Sequence, residues 1–133
     1  MPTFINFEDT DLARFGLSAG AIAGNLVFAA AMALDLDKLE RSAEAETIAD
    51  ETRICIRELE RILAEAGCTL DDLVKVNCYL SEDGYRAEFW ATYDAIFEPV
   101  KSSAVRLTQV AGLAGGCRVE LDAVAVRPKS AGE

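Results

Sequence analysis

Histidine is absent from this chain, so acid–base chemistry falls to carboxylates, lysine, tyrosine, cysteine or bound water, and Ser-His-Asp and Cys-His schemes are excluded. The carboxylate that asks for an explanation is Glu120. It sits in Cys117-Arg-Val-Glu-Leu-Asp-Ala-Val-Ala-Val126, a stretch that alternates residue types as a strand does. A carboxylate in a buriable strand is costly unless it is paired, hydrogen-bonded or open to a cleft. Glu120 is therefore either a satisfied structural acid or part of a site. Cys117, at the start of the same strand, offers a thiol nucleophile, but no histidine or cationic helix terminus lowers its pKa, and packing is the expected role. The other cysteines, Cys55, Cys68 and Cys78, form no C-x-x-C pair. Neither a metal site nor a disulfide framework is expected, and reduced, buried thiols are.

The chain has 133 residues, of which 51% are apolar, enough for one domain over residues 1–133 with a real core. Lysine and arginine number 13 against 23 acids, a formal charge of -10, and the basic residues are scattered. Nucleic acid is thus a poor partner, because phosphate contacts need a cationic surface. No window approaches eighteen apolar residues and the N-terminus lacks a basic segment, so no membrane partner is expected and the expected location is the cytoplasm.

These residues need elements to carry them. Residues 3–7 and 18–23 read as short strands, with a tight turn at Gly24-Asn25 leading into the apolar, non-alternating run 26–34, a central strand buried on both faces. Over 42–66, Ala45, Ile48, Ala49, Thr52, Cys55, Ile56, Leu59, Ile62, Leu63 and Ala66 recur at helical spacing. They form one buried stripe, with Glu44 and Glu46 at the N-terminal dipole and Gly67 as the C-terminal cap. Arg53, Arg57, Glu58, Glu60 and Arg61 read as the solvated face. Thr69-Leu-Asp-Asp72 fits a capping box before the strand 73–80, in which Val74, Val76, Cys78 and Leu80 are expected on one face. A second helix over 85–98 carries Phe89, Trp90, Tyr93, Ile96 and Phe97, an aromatic stripe read as core. Strands at 103–111 and 117–127 follow, and residues 128–133 are expected to fray. The order predicts an α+β sheet with two helices on one face. Two helices cover only one side, so neighbouring subunits are expected to bury the other.

Val74-Lys-Val-Asn-Cys-Tyr-Leu80, Ala91-Thr-Tyr-Asp-Ala-Ile-Phe97 and Val119-Glu-Leu-Asp-Ala-Val-Ala-Val126, in this order of elements, resemble the Rid (YjgF) family over residues 15–127. The resemblance implies a chorismate-mutase-like homotrimer with a central barrel and three clefts between subunits. It also implies hydrolysis of small reactive enamines and imines, such as 2-aminoacrylate, to 2-oxo acids and ammonia without metal or organic cofactor. An arginine grips the substrate carboxylate in such members, while a glutamate and backbone groups position water. By position the glutamate is Glu120.

The other motif positions depart. Ungapped alignment puts Val105 at the arginine's place, and successive strand residues face opposite ways, so Arg106 reaches the cleft only through a bulge or register shift. Leu17 stands for the family's tyrosine, and Ala30-Ala31 for its Ser-Gly pair. Trp90 replaces a smaller polar residue, lining the cleft or anchoring helix to sheet. Arg118, two residues before Glu120, is a substitute anion clamp or simply pairs with Glu120, and the pairing is the preferred expectation. A divergent enamine or imine deaminase follows, with Glu120 catalytic and Arg106, Leu17, Ala30, Ala31, Trp90 and Arg118 around the substrate. The alternative is a non-catalytic trimer that binds small carboxylates. A ribonuclease role of the kind attached to the family fits the charge poorly.

Overall fold

A computed structural model describes residues 1–100 and 103–129. The strands are β1 (Thr3–Ile5), β2 (Gly20–Ala23), β3 (Leu26–Met32), β4 (Leu34–Asp35), β5 (Glu40–Arg41), β6 (Leu73–Leu80), β7 (Val105–Val110) and β8 (Val119–Val126), and the helices are α1 (Ile48–Glu65) and α2 (Arg86–Phe97). Six strands form one sheet in the order β1-β2-β3-β8-β6-β7. Neighbours run antiparallel except β6 and β7, which are parallel because α2 crosses between them.

The apolar run after the Gly24-Asn25 turn alternates once it is folded: Val27, Ala29 and Ala31 are buried, while Leu26 and Phe28 are exposed. On β8, Val119, Leu121, Ala123 and Ala125 are buried, and Glu120, Val124 and Val126 are only partly so. The buried sets meet the stripe of α1, which includes Cys55, Leu59, Ile62 and Leu63. Phe89 and Tyr93 of α2 extend the same layer. Both helices thus lie on one face. The opposite face leaves Phe4 62%, Leu26 36%, Phe28 41%, Val105 62% and Leu107 45% exposed, a far larger apolar surface than isolated surface leucines.

Three expectations change in detail. Helix α1 starts at Ile48, not at 42, because Thr47 and Asp50 close a capping box there: the Thr47 hydroxyl accepts from Asp50 N at 3.0 Å and the Asp50 carboxylate from Thr47 N at 3.3 Å. Glu44 and Glu46 therefore precede the helix, and its first turn carries Asp50 and Glu51. Val74 leaves the face of Val76, Cys78 and Leu80, because the register against β8 shifts between Leu73 and Lys75. That bulge turns Leu73 inward and Val74 out. The hairpin β4–β5 was not expected. Of the C-terminal tail, Pro128 and Lys129 are exposed without regular structure, and residues 130–133 lie outside the described residues.

Gly20 fixes how closely α1 rides on the sheet. A Cβ there would lie 2.6 Å from Ile62 Cγ2 and 2.8 Å from the Phe28 carbonyl oxygen, and the oxygen belongs to the facing strand. Gly20→Ala is expected to cost about 1–3 kcal/mol, read as a lower urea midpoint. An unchanged midpoint would mean that helix and strand separate freely.

Candidate functional site

The faces of the sheet decide which candidate residues meet. Glu120 lies on the helix-free face, opposite Met32 on β3 and Tyr79 on β6. Ala30 pairs with Asp122 on that same face. Burial raises the Glu120 carboxyl above the usual range, and the neighbouring Asp122 carboxylate adds to it. Asn77, opposite Asp122, donates its amide nitrogen to Asp122 Oδ2 at 3.4 Å, and its buried Oδ1 has no partner. Ala31 points the other way, buried at 3% exposure opposite Leu121. Only its backbone is open to a role beside Ala30.

Arg106 leaves this face. The β6–β7 register runs unbroken from Lys75↔Val105 to Leu80↔Val110, so no bulge restores its direction. It shares the helix side with Val76, while Val105 shares the face of Glu120. Its guanidinium meets Asp94 at 2.9 Å and lies over the rings of Trp90, at 4.8 Å, and Tyr93, at 5.3 Å. Trp90 in turn packs edge-on against Phe89 and Tyr93. Arg106 and Trp90 are therefore together, beside an open hollow of about 340 Å³ bordered by Tyr93, Asp94, Phe97, Glu98 and Ala104. Leu17 stands 57% exposed in the loop before β2.

The expected Arg118–Glu120 pair is replaced by another. Arg118 precedes β8, whose alternation starts at Val119, and its side chain turns to the first turn of α1. Nε meets Glu51 Oε1 at 2.8 Å, and Nη2 donates to the carbonyls of Ala45, at 2.9 Å, and Glu46, at 3.3 Å. Glu51, 0% exposed, also accepts the backbone N–H of Arg118 at 2.6 Å and of Val119 at 3.1 Å. Arg118 is thus no anion clamp beside Glu120. Sequence reasoning missed Glu51, although a signal existed: it lies three residues after Ile48 and four before Cys55, on the buried stripe itself.

The four cysteines are free and buried. Burial is the largest cause of the rise in each thiol pKa, to about 11 for Cys117 and about 12 for Cys78. Cys117 Sγ donates to the Ala33 carbonyl. It is a packed thiol rather than an activated nucleophile. Among the described residues no group of three or more His, Cys, Asp or Glu side chains is arranged to hold a metal ion, and no helix is long and apolar enough to cross a membrane.

The profile of the family described as endoribonuclease L-PSP matches residues 11–127. The chain belongs to this family, the YjgF or Rid family. Among its relatives is a RutC family protein of Pyrococcus abyssi, 29% identical over 104 residues, which are 78% of this chain and 80% of that protein. The mitochondrial protein mmf1 of Schizosaccharomyces pombe is 30% identical over 82 residues, 60% of this chain and 51% of mmf1. The match thus spans about half the length of that relative. The crystal structure of yeast Mmf1 superposes with a TM-score of 0.82 at 23% identity, over 96% of this chain and 100% of that one. The Escherichia coli YjgF gene product gives 0.80 at 24%, over 95% and 99%. At these identities the likeness establishes the Rid fold, a mixed sheet with two helices on one face.

Proposed function

We propose that this Rid-family chain is a homotrimeric hydrolase of small reactive C=N metabolites, working in clefts between subunits with Glu120 as the residue that orders and deprotonates water. The observation that carries the reading is Glu120 itself. Among the described residues its side chain has no hydrogen bond or ion pair within the protomer, it is half-buried, and its pKa is raised. A buried structural acid finds partners, as Glu51 of α1 does. A carboxylate held above its usual pKa is a better base for water than an exposed one.

The chemistry is balanced without a cofactor. Water's oxygen bonds to the C=N carbon as Glu120 takes its proton and passes it to nitrogen. The hydroxyl proton of the resulting carbinolamine then moves to nitrogen as the C–N bond breaks and the C=O bond forms, releasing ammonia and a carbonyl compound. The bare apolar face supports the trimer, because Phe4, Leu26, Phe28, Val105 and Leu107 would otherwise stay in water. Ala30, Met32 and Leu17 supply the apolar wall of the cleft.

The test is imine hydrolysis. Imines released in place by flavin oxidases are offered to the protein while semicarbazide competes for them, and slower formation of the semicarbazone with the protein present supports the reading. If no imine of a varied set decays faster with the protein present, hydrolysis is wrong and the non-catalytic binding trimer takes its place.

A further inference from the structure

The face around Glu120 is rich in hydrogen-bond acceptors and poor in cations. Glu120 and Asp122 are two residues apart on β8 and share a face. Next to them, Asn77 gives one of its two amide N–H donors to Asp122 and keeps a buried, unpartnered Oδ1. An amide flip does not relieve this, since it would set Oδ1 against the Asp122 carboxylate.

The cations are elsewhere. Arg106 is on the helix side with Asp94, and Arg118 is bound to Glu51. Arg41 donates to the Gly116 carbonyl, Arg61 to Asp9 and Glu58, and Arg86 to Asp83 and Thr108. Lys75 shares the face of Glu120 but lies opposite Val124, four positions from Tyr79 and so roughly 13 Å along the strand. A substrate carboxylate placed here would meet the carboxylates of Glu120 and Asp122, and among the described residues of the protomer Arg106 and Arg118 are both turned away and paired elsewhere.

Resting on the hydrolase reading above, we propose that the Glu120 cleft selects C=N compounds without a carboxylate, imines and iminium ions derived from amines rather than from amino acids, and that Asp122 is a residue setting this preference. A protonated imine donates N–H bonds, which the Glu120 and Asp122 carboxylates accept. Its positive charge is matched by the carboxylates. The remaining wall, Met32, Ala30 and Phe28 on β3, suits an alkyl or aryl tail.

The experiment uses two imines that differ only by the carboxylate. A flavin amine oxidase releases one from 2-phenylethylamine and a flavin amino-acid oxidase the other from phenylalanine, each with semicarbazide as trap, for the full-length wild type and Asp122→Asn. The expected result is at least tenfold faster hydrolysis of the amine-derived imine, with the ratio narrowed several-fold in Asp122→Asn. Equal rates, or a preference for the phenylalanine imine, overturn the proposal and leave the hydrolase reading standing. If neither imine is hydrolysed, the hydrolase reading falls, and melting decides the ligand class. Stabilisation by phenylethylammonium but not by phenylpropanoate, weakened in Asp122→Asn, sustains the selectivity for cations, and the reverse pattern refutes it.

Discussion

Glu51→Ala is expected to destabilise the protein by about 3–5 kcal/mol, the largest loss of any single side-chain change outside the apolar core. The carboxylate is completely buried and accepts from Arg118 N, Arg118 Nε and Val119 N. Its removal strands two backbone donors and a guanidinium whose side chain is only 18% exposed. The two carbonyls that also hold Arg118, of Ala45 and Glu46, can orient the cation but carry no compensating charge. Truncating both partners is expected to cost less than the sum of the single changes, since no charge is then left buried alone. The measurement is a urea-unfolding double-mutant cycle on Glu51→Ala and Arg118→Ala at fixed protein concentration. A single-mutant loss under about 1 kcal/mol would show that water enters and replaces the carboxylate.

This pair matters beyond stability because of where it lies. It ties the first turn of α1 to the entry of β8, two residues before Glu120, and so fixes the strand on which the candidate base rides. The neighbouring turn adds to the constraint, with Gly115 and Gly116 both at positive φ and Arg41 bonded to the Gly116 carbonyl at 3.1 Å. Such positions favour glycine because no Cβ crowds the left-handed backbone.

The sheet and helices were legible because their signals are periodic. Alternation over the seven residues 74–80 announces β6, and the spacing of Cys55, Leu59, Ile62 and Leu63 announces α1. The start of α1 was misplaced because Ala45 also fits the stripe and is itself buried, so hydrophobic spacing runs past the real cap at Thr47. The cap had a quieter signal, a threonine with an acid three residues on. The strands β4 and β5 are two residues each, too short for any period, and their connection relies on Leu39 at φ 54, a conformation its residue type disfavours. The direction of Arg106 was readable in part: parity alone put it opposite Val105, and only the absence of a bulge had to be seen. Arg118 was not readable by parity, because alternation holds inside a strand and Arg118 lies just outside it.

Glu120→Gln is expected to lower imine turnover about 10²- to 10⁴-fold, the range a positioned general base contributes, while leaving the protein folded and at least as stable at neutral pH. The sign of the stability effect follows from linkage. Burial and Asp122 raise the Glu120 pKa in the folded chain, so between the ordinary carboxylate pKa and the raised one the folded state binds more proton than the unfolded. Stability therefore falls as pH rises through that window, and at neutral pH the ionised Glu120 is a net cost to the fold. Glutamine carries no charge and removes that cost. Its amide keeps the size and an acceptor oxygen, but it has no basicity with which to take a proton from water. The same raised pKa places the acid limb of the turnover profile above the usual carboxylate range, where Glu120 must be ionised to act. Turnover against pH and melting temperature against pH, measured on wild type and Glu120→Gln, test both parts together. A base in a cleft loses rate and keeps or gains stability on this change, whereas a structural acid loses stability and leaves no rate to explain, so a melting point that falls sharply in Glu120→Gln would remove this residue from the site.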